Sequence, residues 1–291
     1  MEKGILKSGN TPYSPRVVEA SLYPDIDASY TVRNYSGGRI VIPTNPKAFG
    51  IKAWDAMPER MQGMAIYGDL LVRMANVGTS TTHYIYRITA AGTLTQLATF
   101  TLSTSGHSNS LQFAPTVEEG QTYPYLYVSE INGTCVVLSI AANYTVTQVQ
   151  AISAPGASNL QIGDDGYLWG YNRSSGRPRF IRYRKVAVSE GASIDLTSDD
   201  VLEDWTADEV FPAATVTSQG MKVKFGKVWL PYGTTGSGQK RYLVVYDLAA
   251  RRLFAIADLT DFANFEPEDL DFWDDAMILA TYATTNYILR F

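Results

Sequence analysis

The chain has 291 residues, of which 45% are hydrophobic and 18% charged, so it can bury a sizeable core and is not a disordered segment. Its formal net charge of -5 argues against a nucleic-acid binder, which needs a concentrated basic surface. No stretch approaches the ~18 apolar residues of a membrane span, so we expect no membrane insertion. The first residues lack the apolar core of a signal peptide, which leaves the localisation unknown, with the virion or cell surface and otherwise the cytoplasm as alternatives.

Short alternating apolar runs, bounded by Gly, Asn, Ser and Thr, predict an all-β chain. Five segments share one pattern, in which a polar residue precedes alternating apolar residues, a turn and two further strands. We call the first residues of these segments the anchors: Gln62, Asn109, Ser158, Gln219 and Glu268. The spacings between anchors are 47, 49, 61 and 49 residues, and four-stranded propeller blades occupy roughly 40–50 residues.

The repeats therefore predict a five-bladed β-propeller in a single domain, residues 1–291, with blades starting near 62, 107, 158, 219 and 266. The one long spacing contains an acidic insert, Ser189–Val210, which we interpret as a loop. Its second half is the nearest candidate for a helix. The fifth repeat ends after its third strand, so we expect a strand from residues 1–61 to close the last blade, with Gly38–Pro43 as the candidate.

The first strand of each propeller blade lines a central channel, and the second runs back beside it. First-strand starts and second-strand ends therefore meet on one face, which we call the mouth. The predicted ligand-binding residues at the mouth are Gln62, His107, Asn109, Ser158, Gln219, Tyr232, Glu266, Glu268 and Tyr282. Amides that donate and accept, together with flat tyrosine rings, suit a carbohydrate. The equally weighted alternative is that the amides bond the backbone of neighbouring blades.

Other functions are open on the same residues. A glycoside hydrolase or lyase would need two carboxylates flanking the scissile bond, for which Glu268 and Glu130 are the candidates. A protein-interaction scaffold is a third alternative. No Cys/His cluster suggests a metal, the turn Gly163–Gly166 is more typical of a tight turn than of a calcium loop, and we expect no cofactor. Cys135 indicates core packing, and the basic cluster Arg177–Lys185 indicates the solvated side of a strand.

Three short motifs point to a family. They are the Gln-Gly pairs at 62–63 and 219–220, the segment Gly106–Leu111 and the late Glu266–Leu270. In order and spacing they resemble the five-bladed propellers of staphylococcal phage receptor-binding proteins, TagC-like proteins and helveticin J-like bacteriocins. The likeness runs from Gln62 to the C-terminus. It implies a receptor-binding or surface-binding module whose partner is a glycan or cell-surface polymer, which favours a non-enzymatic function. The few polar and aromatic contacts at the mouth predict weak affinity for one copy, so we expect several copies to bind together in a multivalent assembly.

Overall fold

The computed structural model describes residues 30–35, 38–43, 52–56, 61–75, 81–89, 93–102, 109–130, 132–174, 177–207, 218–234, 239–259, 266–273, 276–282 and 285–289. Almost all of the regular structure there is extended, as the alternating pattern predicts. Two single-turn 3-10 helices, Val188–Glu190 and Ser198–Asp200, are the described helices. Within the described residues no helix has the length and apolar character needed to cross a membrane.

The described strands fall in chain order as follows: β1 (Tyr30–Tyr35), β2 (Gly38–Pro43), β3 (Lys52–Ala56), β4 (Met61–Tyr67), β5 (Leu70–Ala75), β6 (Thr81–Ile88), β7 (Leu94–Leu102), β8 (Ser110–Phe113), β9 (Leu126–Glu130), β10 (Thr134–Ile140), β11 (Val146–Ser153), β12 (Asn159–Ile162), β13 (Leu168–Ser174), β14 (Arg177–Tyr183), β15 (Ser193–Asp195), β16 (Val201–Thr206), β17 (Lys222–Lys224), β18 (Lys227–Tyr232), β19 (Tyr242–Asp247), β20 (Arg252–Asp258), β21 (Pro267–Trp273), β22 (Ala276–Thr281) and β23 (Thr285–Leu289).

Apart from β1 and β2, these strands form five sheets, which we number in chain order and which are antiparallel except where β15 is added: sheet I (β4-β5-β6-β7), sheet II (β8-β9-β10-β11, with β15 outside β11), sheet III (β12-β13-β14-β16), sheet IV (β17-β18-β19-β20) and sheet V (β21-β22-β23-β3). The first strands contact one another in chain order, and β21 of sheet V contacts β4 of sheet I. This closed arrangement confirms the all-β propeller fold. Four sheets have the four strands of a propeller blade, whereas sheet II has five, so the predicted blade count stays a prediction.

The strand that closes sheet V is β3, which pairs antiparallel with β23. The predicted candidate, Gly38–Pro43, is wrong for this role, because as β2 it pairs with β1 in a separate hairpin. Both segments are short and rich in apolar residues, so composition alone does not separate them. Pairing with β3 removes the exposed edge that β23 would otherwise present.

The described part of the acidic insert, 189–207, contains two strands separated by the single-turn 3-10 helix Ser198–Asp200, so the predicted loop is wrong. The second of these strands, β16, is the outer strand of sheet III and pairs with β14, while β15 adds a parallel strand to β11 of sheet II. The extra length therefore serves two neighbouring sheets. On β16, Trp205 is buried and Leu202 is exposed, so these two residues lie on opposite faces of a strand rather than on one face of the predicted helix.

The anchors set the register of the repeats. Two residues after each anchor, an apolar side chain packs into the core cluster shared with the preceding sheet: Met64, Leu111, Leu160, Met221 and Leu270. Each core cluster lies between two sheets and is filled from both faces, as stacked propeller sheets require. Cys135 is fully buried in the cluster between sheets II and III, consistent with its predicted packing role.

Candidate functional site

The Gln219 side chain makes hydrogen bonds to residues of several repeats at the mouth. Its Nε2 atom donates to Gly233 O at 2.9 Å and to Glu266 Oε1 at 2.7 Å, while its Oε1 atom accepts from Asn109 Nδ2 at 3.4 Å. The Gln219 carbonyl also accepts from Asn159 Nδ2 at 3.2 Å. The structure thus brings together residues from sheets II to V, and both groups of the Gln219 amide are already engaged.

Two other anchors make hydrogen bonds inside their own sheets. Ser158 donates from its Oγ atom to Tyr171 O at 2.9 Å, and the Gln62 carbonyl accepts from Arg73 Nη1 at 3.2 Å. Gln62 is buried, whereas Ser158 is half-buried. His107, the remaining predicted residue of sheet II, lies outside the described residues. These two bonds lie within sheets III and I, so the bonds that tie neighbouring sheets together at the mouth are those of Gln219.

The two tyrosines predicted at the mouth differ in accessibility. Tyr232 is 1% exposed, and its hydroxyl lies 2.8 Å from the hydroxyl of Tyr171. A ligand ring can stack on Tyr232 only if this buried pair opens. Tyr282 is half-buried, and its backbone N–H donates to Glu266 O at 2.7 Å. The half-buried predicted residues of the mouth are therefore Ser158, Glu266 and Tyr282.

The carboxyl groups at the mouth have unequal environments. Glu268 is 1% exposed, and burial, followed by the charge of Glu266, raises its pKa to about 9. Glu130 is also buried, and its Oε2 atom accepts from Thr134 Oγ1 at 3.0 Å. Acid–base cleavage of a glycan needs both carboxyl groups to reach the bond, and the burial of this pair does not favour that.

Behind the mouth, polar side chains bond the free edges of the first strands. Asp269 Oδ2 accepts from the backbone N–H groups of Met64 at 2.9 Å and Leu111 at 3.0 Å, so one carboxylate joins sheets V, I and II. The Gln112 amide makes two bonds with the backbone of Val223, at 2.7 and 2.9 Å. These side chains replace the strand neighbour that an inner edge lacks.

Charged residues complete this set, which we call the axial cluster: Lys222, Lys224, Asp269 and Asp271. Lys222 and Asp271 are fully buried, with Lys222 Nζ 3.5 Å from Asp271 Oδ2, and Lys224 pairs with the same carboxylate. Burial alone would raise the pKa of Asp271, but the two lysine charges lower it overall. The pKa of Asp269 is raised to about 7, because burial outweighs the charge of Lys222.

Sequence reasoning missed the axial cluster, although a signal was present. Lys222 and Lys224 alternate on the first strand of sheet IV, and Asp269 and Asp271 alternate on that of sheet V. Charges of opposite sign at period 2 on inner strands of neighbouring sheets indicate pairing across the axis.

The basic cluster Arg177–Lys185 and the turn Gly163–Gly166, both predicted to be structural, make contacts that hold the fold together. Arg179 makes a bidentate pair with Asp204, at 2.8 and 2.5 Å, and Arg182 pairs with Glu203 at 2.8 Å. The basic strand is therefore neutralised by the adjacent β16. In the turn Gly163–Gly166, Asp164 Oδ2 accepts from the backbone of Phe225 at 2.5 Å, which ties this turn to sheet IV. Among the described residues no group of three His, Cys, Asp or Glu is placed to hold a metal ion.

Several solved structures align with this chain. The tail fibre of Staphylococcus aureus phage P68 aligns with a TM-score of 0.51 and 13% identity, over 92% of this chain and 55% of the tail-fibre chain. A hypothetical protein from Leishmania major aligns with a TM-score of 0.47 and 9% identity, over 82% and 91% of the two chains. The WD40 β-propeller domain of Doa1 gives 0.41 and 12%, over 90% of each chain.

The chain thus spans about half the length of the tail-fibre chain to which it is similar. No protein-family model matches the sequence, and no curated protein sequence matches it. At 13% identity and a TM-score of 0.51, the likeness to the tail fibre shows a shared fold alone.

Proposed function

We propose that sheets I to V are the five blades of one propeller, with β15 an addition to the outer edge of sheet II. The support is the equivalent placement of the five anchors and the closed order of the first strands. An experimental structure with a four-bladed ring and one sheet packed outside it would contradict this count.

We propose further that the chain is a non-enzymatic binding module for a glycan or cell-surface polymer, which it contacts at the mouth. The observation that carries the proposal is the convergence of Asn109, Gln219 and Glu266, from three sheets, into one hydrogen-bonded group at that face. Half-buried Ser158 and Tyr282 border this group and supply a hydroxyl and an aromatic ring. The tail-fibre likeness favours a phage-type binding role over a metabolic one.

Affinity at this mouth should be low for one copy. A neutral hydrogen bond contributes about 1 kcal/mol, and an aromatic contact contributes about as much. Several of the predicted residues already hold one another, so few groups remain for a ligand. We therefore propose that useful binding comes from several copies on one particle or surface.

A glycan array separates this function from its alternatives. The variant Glu266→Gln/Tyr282→Ala should lose glycan binding while its melting curve stays close to that of the unmodified protein. The control Arg179→Ala, on the basic strand, should bind normally. If binding follows Arg179 instead, the ligand lies on the outer surface and the mouth is not the site.

Product analysis of the bound glycan tests the hydrolase or lyase alternative. Intact glycan recovered after long incubation supports a binding module. Turnover that stops in Glu268→Gln, with binding retained, would establish the enzyme instead. Glycan binding by neither form, with capture of a defined protein partner, would favour the scaffold.

A further inference from the structure

Arg73 carries a buried charge that the described residues do not neutralise by direct contact. It lies on β5 of sheet I and has no solvent exposure. Its Nη1 atom donates to Gln62 O at 3.2 Å and to Gly63 O at 3.3 Å. Its Nε and Nη2 atoms have no hydrogen-bond partner among the described residues. A buried guanidinium in this state is costly, because both its charge and its donors are desolvated.

Glu268 faces the same region from β21 of sheet V. Its Oε2 atom is also buried and without a hydrogen-bond partner in the described part of the chain. Burial, then the charges of Glu266 and Asp269, keep its pKa at about 9 despite the attraction of Arg73. At neutral pH the Glu268 carboxyl is therefore protonated and can donate a hydrogen bond.

We propose that Arg73 and Glu268 form an internal binding site for an oxyanion group, phosphate or carboxylate, between sheets I and V. The free Nε–H and Nη2–H groups of Arg73 form the edge that binds two oxygens of an anion at once. The protonated Glu268 carboxyl donates to a further oxygen. The site adjoins the mouth, because Arg73 also holds the carbonyl of Gln62. This site goes beyond the proposed glycan function and does not depend on it.

The test is thermal melting of the full chain at pH 7 and constant ionic strength, with inorganic phosphate, dimethyl phosphate or acetate replacing chloride. An anion that binds only the folded protein should raise the Tm by about 5 °C at a hundred times its Kd. A response to phosphate alone identifies a free ion, and a response to dimethyl phosphate as well identifies the phosphodiester of a polymer. No response to any of the three anions would overturn the proposal, because water or rotation of Glu268 would then satisfy Arg73.

Variants locate the response. Arg73→Gln should abolish the anion-dependent rise, whereas the surface control Arg251→Gln should keep it. Glu268→Gln should also keep it, because the amide remains a neutral donor. If Arg73→Gln does not fold, Arg73→Lys replaces it and should need at least about ten times more phosphate, because a lysine cannot make the bidentate contact. An undiminished rise in the Arg73 variant that folds would overturn the proposal.

Discussion

Lys222 and Asp269 lie fully buried on the first strands of neighbouring sheets, with Lys222 Nζ 3.8 Å from Asp269 Oδ2. Lys222 also donates to the carbonyl oxygens of Met64 and Leu111, whose N–H groups Asp269 accepts. The pair thus bonds both backbone groups of two residues on two other sheets. It takes the place of a β-ladder where inner strands do not pair.

Asp269→Asn should destabilise the protein by about 3 kcal/mol, because it breaks a buried charge pair and puts an amide where the carboxylate accepts bonds. Asp199→Asn, at an exposed position, is the matched control and should change stability by less than about 0.5 kcal/mol. Urea unfolding of both variants measures the difference. Equal midpoints would mean that the axial cluster contributes little to closure.

A second prediction concerns the close approach at Gly220. A Cβ atom there would lie 2.5 Å from both Asn109 O and Glu268 O, so the first strands of three sheets converge on this glycine. We expect Gly220→Ala to cost about 3 kcal/mol through overpacking. At Gly68 a Cβ would meet nothing within 4 Å, so Gly68→Ala brings no clash. It should lower stability by only about 1 kcal/mol, because an alanine is strained at the positive φ of this position. Calorimetric melting of the two variants should separate them clearly, and similar Tm values would contradict the packing.

Many of these features follow from the repeats. The anchors predicted the five first strands, because each repeat carries the same alternation, and the structure adds that the same position of each repeat packs against the preceding sheet. What the repeats could not show is how polar residues pair between sheets. Gln219 and Tyr232 look available within their own repeat, yet Glu266 and Tyr171, on other sheets, occupy their polar groups. The insert and β3 lie outside the repeated pattern, so the repeats could not predict which strands they pair with.

His83 gives a prediction for acid pH. It is fully buried against Phe100, and in the ranges described neither ring nitrogen makes a hydrogen bond of good geometry, although its interaction with the Thr82 backbone opposes part of the effect of burial on its pKa. Burial lowers its pKa to about 3 from 6.5. Above pH 6.5 the imidazole is neutral in both the folded and the unfolded state and its protonation does not affect stability; as pH falls from 6.5 towards 3 stability is lost, because the unfolded chain takes up the proton first.

His83→Leu should therefore leave stability at pH 7 unchanged or slightly raised, since it removes an unsatisfied polar group. It should also flatten the stability loss below pH 6. Denaturant midpoints of both proteins between pH 4 and 8 test this. A variant that is less stable at neutral pH, and that loses stability below pH 6 as steeply as the unmodified protein, would show that the imidazole makes a stabilising contact in the folded protein.

The closing strand predicts a contrast between two truncations. Removing residues 1–45 takes away the β1–β2 hairpin and leaves β3, so the ring should stay closed and monodisperse. Removing residues 1–57 also takes away β3, which exposes the edge of β23, and we expect oligomers and a lower Tm. Size-exclusion chromatography and melting compare the two. The same behaviour in both truncations would place the closing contact elsewhere.

The pairing of β3 with β23 also shapes the order of folding. Sheets I and IV each assemble from consecutive strands, so their loops are short and their chain entropy cost is small. Sheet V instead joins β3, from the N-terminal part of the chain, to β23, from the C-terminal part. This is the strand pairing of greatest sequence separation among the described residues. Closing such a long loop loses chain entropy before any packing energy compensates for it. The individual hairpins should therefore form first, and the pairing of β3 with β23 should form last. Closure of the ring is then a slow, late step of folding, which is complete only when β3 has paired with β23.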